Sequence, residues 1–490
     1  MATTTSLPIS LQQGSILLSL FMILVFSAFT HLAYFNGHYY NTALGQEEEE
    51  KKEDQQQTKN LLPTLKDPNL KVDVVFKGLK WPTSMAFLGP NDILVLEKND
   101  GTVRRIINGK MLPNPVLDVN VANKFERGML GIAIAKHPPN GPTYVFLYYT
   151  ESKVEGSDVC YKEETKCKPA GDALGNRLYR YELVGDKLLN PKLLLDLPAD
   201  ENQHNGGQVI IGPDQNVYLT IGDINHQTKA ANYEKGPDPD GTAGILRIDQ
   251  DGKPVGNGII GNKYPVNLYY AYGIRNSFAM DFDPVTHNLW ATEAGLYYVD
   301  ELNLVKPGFN SGWQDVDGMA SRCMPKICSY LEDGKGGGEG GKASSSAFKE
   351  GLVGFDGKGT YSEPKFVWEY NPTPTAVKFL NSDKLGKQYQ NDLFVGDFNH
   401  GSLYDFKLNE DRTDLVLGGP LADKVSKAQN EEESIIFGKQ FGEDADMDKE
   451  IKKSNDFGGI TDIEVGPDDG YLYILTFLEN SGTIYRIVPK

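Results

Sequence analysis

The sequence predicts an all-β fold, a six-bladed β-propeller behind an N-terminal transmembrane or signal-anchor helix, and three observations lead there. The 490 residues include 52 Gly, 25 Tyr and 22 Phe, with turn dipeptides along the whole chain, the composition of many short strands joined by tight turns. A degenerate strand-and-turn unit recurs six times beyond residue 68. Ile16 to Phe35 is apolar and free of formal charge, at about the 20 residues a bilayer requires.

In chain order, residues 1–15 form a short tail and residues 16–35 the hydrophobic segment. No Lys or Arg precedes that segment and no small-x-small cleavage site follows it, so it reads as an uncleaved anchor; a cleaved signal peptide is the alternative. Residues 36–67 are polar and acidic, with Glu47 to Glu50, Lys51, Lys52, Glu53 and Asp54 in one run. Such a stretch buries too little apolar surface to fold alone and reads as a tether.

The propeller is expected over residues 68–490. Its repeating unit is an apolar strand, a Pro/Asn/Asp/Gly turn, a strand of the type apolar-Tyr-apolar-Thr, then a Gly and another alternating strand. The clearest copy runs from Gly459 to Thr476 and on through Gly482 to Val488. The opening copy has Pro82 to Phe87, the turn Pro90-Asn91-Asp92, Ile93 to Glu97 and Gly101 to Ile106. Others begin near Gly128, Gly206, Gly273 and Thr375. Four-stranded units repeated around an axis shield their sheet edges from one another. Val72 to Phe76 is expected beside Gly482 to Val488, closing the ring. The spacing is irregular, so the inserts are loops, the largest from Gly318 to Tyr361 with a Gly-rich run at 334–341.

The formal charge of −18, uninterrupted by any basic tract, argues against nucleic acid or an acidic membrane face as partner. Four cysteines fall as two close pairs, Cys160 with Cys167 and Cys323 with Cys328. Two local disulfides are the expectation, a four-thiolate zinc site the alternative, although neither pair has zinc-ribbon spacing. Oxidised pairs place the domain outside the cytosol, either membrane-anchored or secreted.

Polar residues cluster where strands end. Glu201 to Asp214 contains His204 just ahead of the Gly206–Gly207 pair, where the backbone can approach a ligand closely. Tyr272 to Phe282, Trp290 to Asn303 and Pro307 to Trp313 follow. A histidine at a strand end, with an ordinary pKa of about 6.5, is a candidate general base.

These motifs, most densely from Asn202 to Trp313, resemble those of the soluble aldose (glucose/sorbosone) dehydrogenases that use pyrroloquinoline quinone (PQQ) and calcium. The matching elements are His204, the Ile-Gly-Pro-Asp turn at 211–214, Tyr-Leu-Thr-Ile-Gly-Asp at 218–223, Gly273-x-Arg275-Asn276, Glu293-x-Gly295, Asp300-Glu301-x-Asn303 and Gly308-x-Asn310-x-Gly312-Trp313. The resemblance implies that His204 removes the proton of the anomeric hydroxyl while hydride passes to the quinone. It implies further that Arg275 and Asn276 hold the quinone oxygens, that main-chain carbonyls of Gly295 and Leu296 bind Ca²⁺, and that Asp300 and Glu301 order the calcium loop. A small sugar and an electron acceptor are the implied partners.

One departure stands out. Where the family clamps the PQQ carboxylates with basic residues, this chain has Asn399, Gly459 and Thr461. Charge-assisted hydrogen bonds of about 1.5–3 kcal/mol each are lost there. His400 and Lys378 are the candidates to replace them. Three functions therefore stay open: a PQQ- and calcium-dependent aldose dehydrogenase, a non-catalytic binding module of the hedgehog-interacting-protein-like branch, and a calcium-dependent lactonase.

Overall fold

The computed structural model describes residues 62–137, 141–153, 173–296, 299–321, 351–442, 459–478 and 480–490. The predicted anchor at 16–35, the tether up to residue 61 and all four cysteines lie outside these residues. No helix among the described residues is long and apolar enough to cross a membrane.

The chain is an all-β propeller. Its described residues form six separate sheets, in which consecutive strands are mostly antiparallel neighbours. The first strands of the repeat copies found in the sequence each become an end strand of one of these sheets: Pro82–Gly89, Met129–Lys136, Val209–Ile211, Met280–Phe282, Pro374–Phe379 and Ile460–Val465. Pro82–Gly89 packs against Met129–Lys136, which packs against Val209–Ile211; Met280–Phe282 packs against Pro374–Phe379, which packs against Ile460–Val465, which returns to Pro82–Gly89. The remaining junction is made by Gln208, whose side-chain oxygen accepts the Met280 N–H.

Short polar side chains tie these strands sideways. Thr83 donates its hydroxyl to Met129 O at 2.7 Å, and Thr461 donates to Pro82 O at 3.1 Å. Buried carboxylates repeat the device, Asp462 accepting Met85 N–H at 2.7 Å and Asp281 accepting Phe379 N–H at 2.9 Å. Each bond satisfies a backbone group at a sheet edge that would otherwise be buried unpaired.

Between adjacent sheets the faces are apolar and aromatic. Trp290 and Trp368 are fully buried, and Phe366 meets Trp368 and Phe406 edge to face. Aromatic pairs in that geometry add about 0.5–1.5 kcal/mol beyond the area they bury.

The strand Leu70–Leu79 pairs antiparallel with Gly482–Pro489, Val72 opposite Ile487, so the two ends of the domain share one sheet as expected. Thr64 and Leu65, inside the stretch read as tether, pair with Lys439 and Gly438 at the edge of another sheet. Two residues are too few to show a strand period in sequence, and the pairing depends on a partner nearly the whole chain away.

Candidate active site

His204 sits on the loop leading into Val209–Ile211 with φ at +59°, in the left-handed region. That conformation is uncommon outside Gly and persists only where the surroundings over-determine it. Here they do. The next residue is fixed by Tyr148, whose hydroxyl donates to Asn205 O at 3.0 Å, and by Asn176, whose amide donates to Asn205 Oδ1 at 2.9 Å. Gly222 lets the loop lie against its neighbour, because a Cβ there would stand 2.4 Å from His204 O.

The His204 ring is nearly buried, and its Nδ1 is 2.6 Å from Asp223 Oδ1. Asp223 follows the strand Val217–Ile221, and its Oδ1 also accepts Asn225 N–H at 3.0 Å. Its Oδ2 accepts the Trp313 indole N–H at 2.7 Å. A carboxylate can only accept, so Nδ1 carries the proton and Nε2 is left with its lone pair. No protein group among the described residues hydrogen-bonds to Nε2. This is the arrangement a general base requires.

Trp313 reaches Asp223 because Phe309–Asn310 pairs in parallel with Tyr269–Tyr272 as a further strand of the same sheet, carrying the following loop across. Gly312, at φ +108°, makes the turn. The Arg275 guanidinium lies 5.4 Å from the Trp313 ring centroid and donates from Nη1 to Ala294 O at 2.9 Å. Its Nε is buried with no hydrogen-bond partner among the described residues. An orphaned guanidinium N–H is a site for an anionic or quinonoid oxygen.

Asn276 holds two loops together. Its Oδ1 accepts Gly206 N–H at 3.1 Å and its Nδ2 donates to Glu126 Oε2 at 2.9 Å, while Asn205 N–H donates to the same oxygen at 3.2 Å. The structure brings His204, Arg275 and Asn276 together around Gly222. It adds Asp223, Glu126 and Trp313, for which only their place in or near the motifs was a signal.

Around Gly295 and Leu296 stand four carboxylates, Glu293, Asp300 and Glu301 buried and Asp317 half-buried. Asp300 Oδ1 accepts Gly295 N–H at 3.1 Å and Asp317 Oδ2 accepts Leu296 N–H at 3.0 Å. Glu293 and Glu301 share the Ser311 hydroxyl, at 2.6 and 3.2 Å. Burial pushes Asp300 and Asp317 up to about 7 and Glu293 up to about 8, with Asp317 adding repulsion at Glu293 and Asp300. Burial and the neighbouring Glu293 push Glu301 well above the usual range. Excess negative charge of this kind suits a hard divalent cation held by oxygen atoms. Among the described residues no cluster of three or more His, Cys, Asp and Glu side chains is arranged to hold a metal by itself. Asp300 and Asp317 fix the loop that carries Gly295 and Leu296 by accepting their N–H groups.

At the expected clamp the structure explains what the sequence lacks. A Cβ on Gly459 would stand 2.1 Å from Phe398 O, so no side chain fits. Asn399 gives its amide to Asn371 O and Thr373 Oγ1, both at 2.9 Å. Lys378 is committed to Glu464 at 2.9 Å, with Asp281 at 3.8 Å. His400 lines a cavity with Asn399 and Glu432.

The glucose/sorbosone dehydrogenase family profile matches residues 79–327, just over half of the chain. An aldose sugar dehydrogenase of Escherichia coli is 24% identical over 428 residues, 86% of this chain and 93% of that protein. A quinoprotein glucose dehydrogenase B of Acinetobacter calcoaceticus is 27% identical over 276 residues, 52% of this chain and 54% of that one. Among solved structures, the apo soluble aldose sugar dehydrogenase of Escherichia coli has a TM-score of 0.60 at 20% identity, covering 86% of this chain and 100% of that one. The PQQ-bound aldose sugar dehydrogenase of Streptomyces coelicolor has a TM-score of 0.55 at 20% identity, covering 87% and 99%. With its propeller fold, its buried His204–Asp223 pair and this match, the chain is a member of the glucose/sorbosone dehydrogenase family.

Proposed function

We propose that this protein oxidises an aldose sugar to its lactone with PQQ and calcium, on the extracytoplasmic side of a membrane that its N-terminal segment spans. The observation that carries the reading is the His204–Asp223–Trp313 chain, which leaves one imidazole nitrogen as a proton acceptor. In this reading His204 Nε2 takes the proton of the anomeric hydroxyl. Asp223 keeps the tautomer and steadies the imidazolium that forms. Arg275 and Asn276 face the quinone, and the Gly295–Leu296 loop holds Ca²⁺. PQQ, when bound, supplies the two-electron acceptor for the hydride of the anomeric carbon. Water is kept from the base by burial of the His204 ring.

The same reading takes each of the six sheets as one blade and the 16–35 segment as anchor, with the two cysteine pairs oxidised outside the cytosol. A non-catalytic binding module is the second reading. Its support is specific: Gly459 has no room for a basic side chain, and the amide of Asn399 is already used.

The test is a titration of the protein with PQQ and Ca²⁺, followed by absorbance and by dye reduction with a panel of aldoses. Saturable binding with sugar-dependent reduction that vanishes in His204→Ala supports the dehydrogenase. A folded protein that ignores high micromolar PQQ in the presence of Ca²⁺ leaves the binding module.

A further inference from the structure

The cavity at the centre of the ring holds a cation that no sequence motif marked. Lys98, just beyond the strand Asp92–Glu97, is 4% exposed and lines a cavity of about 350 Å³. Ser84, Glu126, Thr461, Phe398 and Phe477 line it too. Among the described residues on its wall Lys98 is the one cation, and the wall also carries the carboxylates Glu126 and Asp462. Its ammonium donates to Asn123 O and Asn99 Oδ1, each at 3.1 Å. Both are neutral oxygens. Burial pulls the amine down to about 7, with Glu126 pulling the other way.

Taking an ammonium out of water costs several kcal/mol, and an anion arriving in the same cavity offsets that cost through short-range attraction in a low dielectric. The cavity also reaches the catalytic loop. Gln203 and Gly206, on either side of His204 and Asn205, line it, and so does Glu126, which bonds to Asn276 and to Asn205 N–H. An anionic ligand oriented toward His204 and Arg275 therefore has Lys98 within the same chamber. The family's positions do not offer this. Thr461 is on the wall, but its hydroxyl donates to Pro82 O, and Gly459 admits no side chain.

We propose that Lys98 receives a carboxylate of the quinone in the central cavity, replacing the basic clamp missing at Asn399, Gly459 and Thr461. This rests on the PQQ reading above. The experiment measures dissociation constants of the full-length protein by absorbance titration with Ca²⁺ present, using PQQ and its trimethyl ester. It compares wild type with Lys98→Gln, Lys98→Met and Lys98→Arg, each checked for wild-type near-ultraviolet circular dichroism.

The expected result is a loss of about tenfold or more in PQQ affinity in the Gln and Met variants, the size of one charge-assisted hydrogen bond. Arg should stay within about threefold of wild type, because it restores the charge. The ester, which lacks the carboxylates, should bind wild type and Lys98→Gln alike. The ratio of PQQ to ester affinity is taken within each variant, so a general loosening of the fold, which weakens both ligands, cannot imitate a loss confined to PQQ. Wild-type binding of PQQ with equal affinity in folded Lys98→Gln would overturn the assignment while leaving the dehydrogenase reading intact. Absence of PQQ binding to wild type would overturn the dehydrogenase reading itself.

Discussion

Nδ1 of His204 lies 2.6 Å from Asp223 Oδ1, and the other oxygen of that carboxylate is held by the Trp313 indole at 2.7 Å. The three residues flank three strands of one six-stranded sheet, Val209–Ile211, Val217–Ile221 and Phe309–Asn310, so the state of the imidazole depends on how the loops at that sheet's end are held together. Asp223→Asn replaces an obligate acceptor with an amide that can present N–H to the ring and favour the wrong tautomer. Turnover should fall by about 10²–10⁴ in dye-reduction assays, the usual contribution of a positioned base. PQQ affinity should change little. Trp313→Phe removes only the indole donor and should give a smaller loss in kcat.

Asn276 is expected to matter for architecture as much as for ligand. Asn276→Ala leaves Gly206 N–H without its acceptor and Glu126 without one of its donors. Removing one partner from a buried hydrogen bond costs about 1–3 kcal/mol. Denaturant titration should show that loss in the absence of any cofactor. Unchanged stability would mean that neither bond is maintained in solution.

Gly459 gives a steric prediction. Gly459→Ala places Cβ 2.1 Å from a backbone oxygen of Phe398, so strand and loop must separate. Overpacking of this kind costs about 1–3 kcal/mol. Thermal unfolding should register it, and Gly459→Arg should fail to strengthen PQQ binding.

Calcium should stabilise the fold, and more so as pH rises. Glu293, Asp300 and Asp317 hold their protons to about 7–8 because burial disfavours their charged forms. A divalent cation beside them favours the charged forms, so its binding releases protons. The rise in Tm on adding millimolar Ca²⁺ should therefore be larger at pH 8.5 than at pH 6. Glu293→Gln should reduce that difference, and chelation should abolish the rise altogether.

Asp397 makes a separate pH prediction, away from the Gly295–Leu296 loop. It is fully buried, accepts the Tyr404 hydroxyl at 2.8 Å and His400 N–H at 2.7 Å, and is pushed up to about 7, chiefly by burial. Its folded pKa exceeds its unfolded value of about 3.9, so the native state binds the extra proton across that window. The contribution is present at low pH and is lost as pH rises from about 4 toward 7. At about 1.4 kcal/mol per pKa unit the slope amounts to a few kcal/mol. Asp397→Asn, unable to ionise, should flatten that part of the stability profile.

What the sequence by itself determined was the local and periodic part. Alternating strands, turn residues and the recurring unit mark the six first strands because a half-buried strand writes its period into consecutive residues. The closing partnership of Leu70–Leu79 with Gly482–Pro489 was legible for the same reason. His204, Arg275 and Asn276 were legible through motifs of fixed spacing. Only the tertiary structure decided that Asp223 bonds both His204 and Trp313, that Gly459 is sterically closed, and that Lys98 lines the central cavity. Each of those depends on the distance between residues far apart in the chain. That distance is set by how sheets dock and loops cross between them, and strand periodicity carries no information about either.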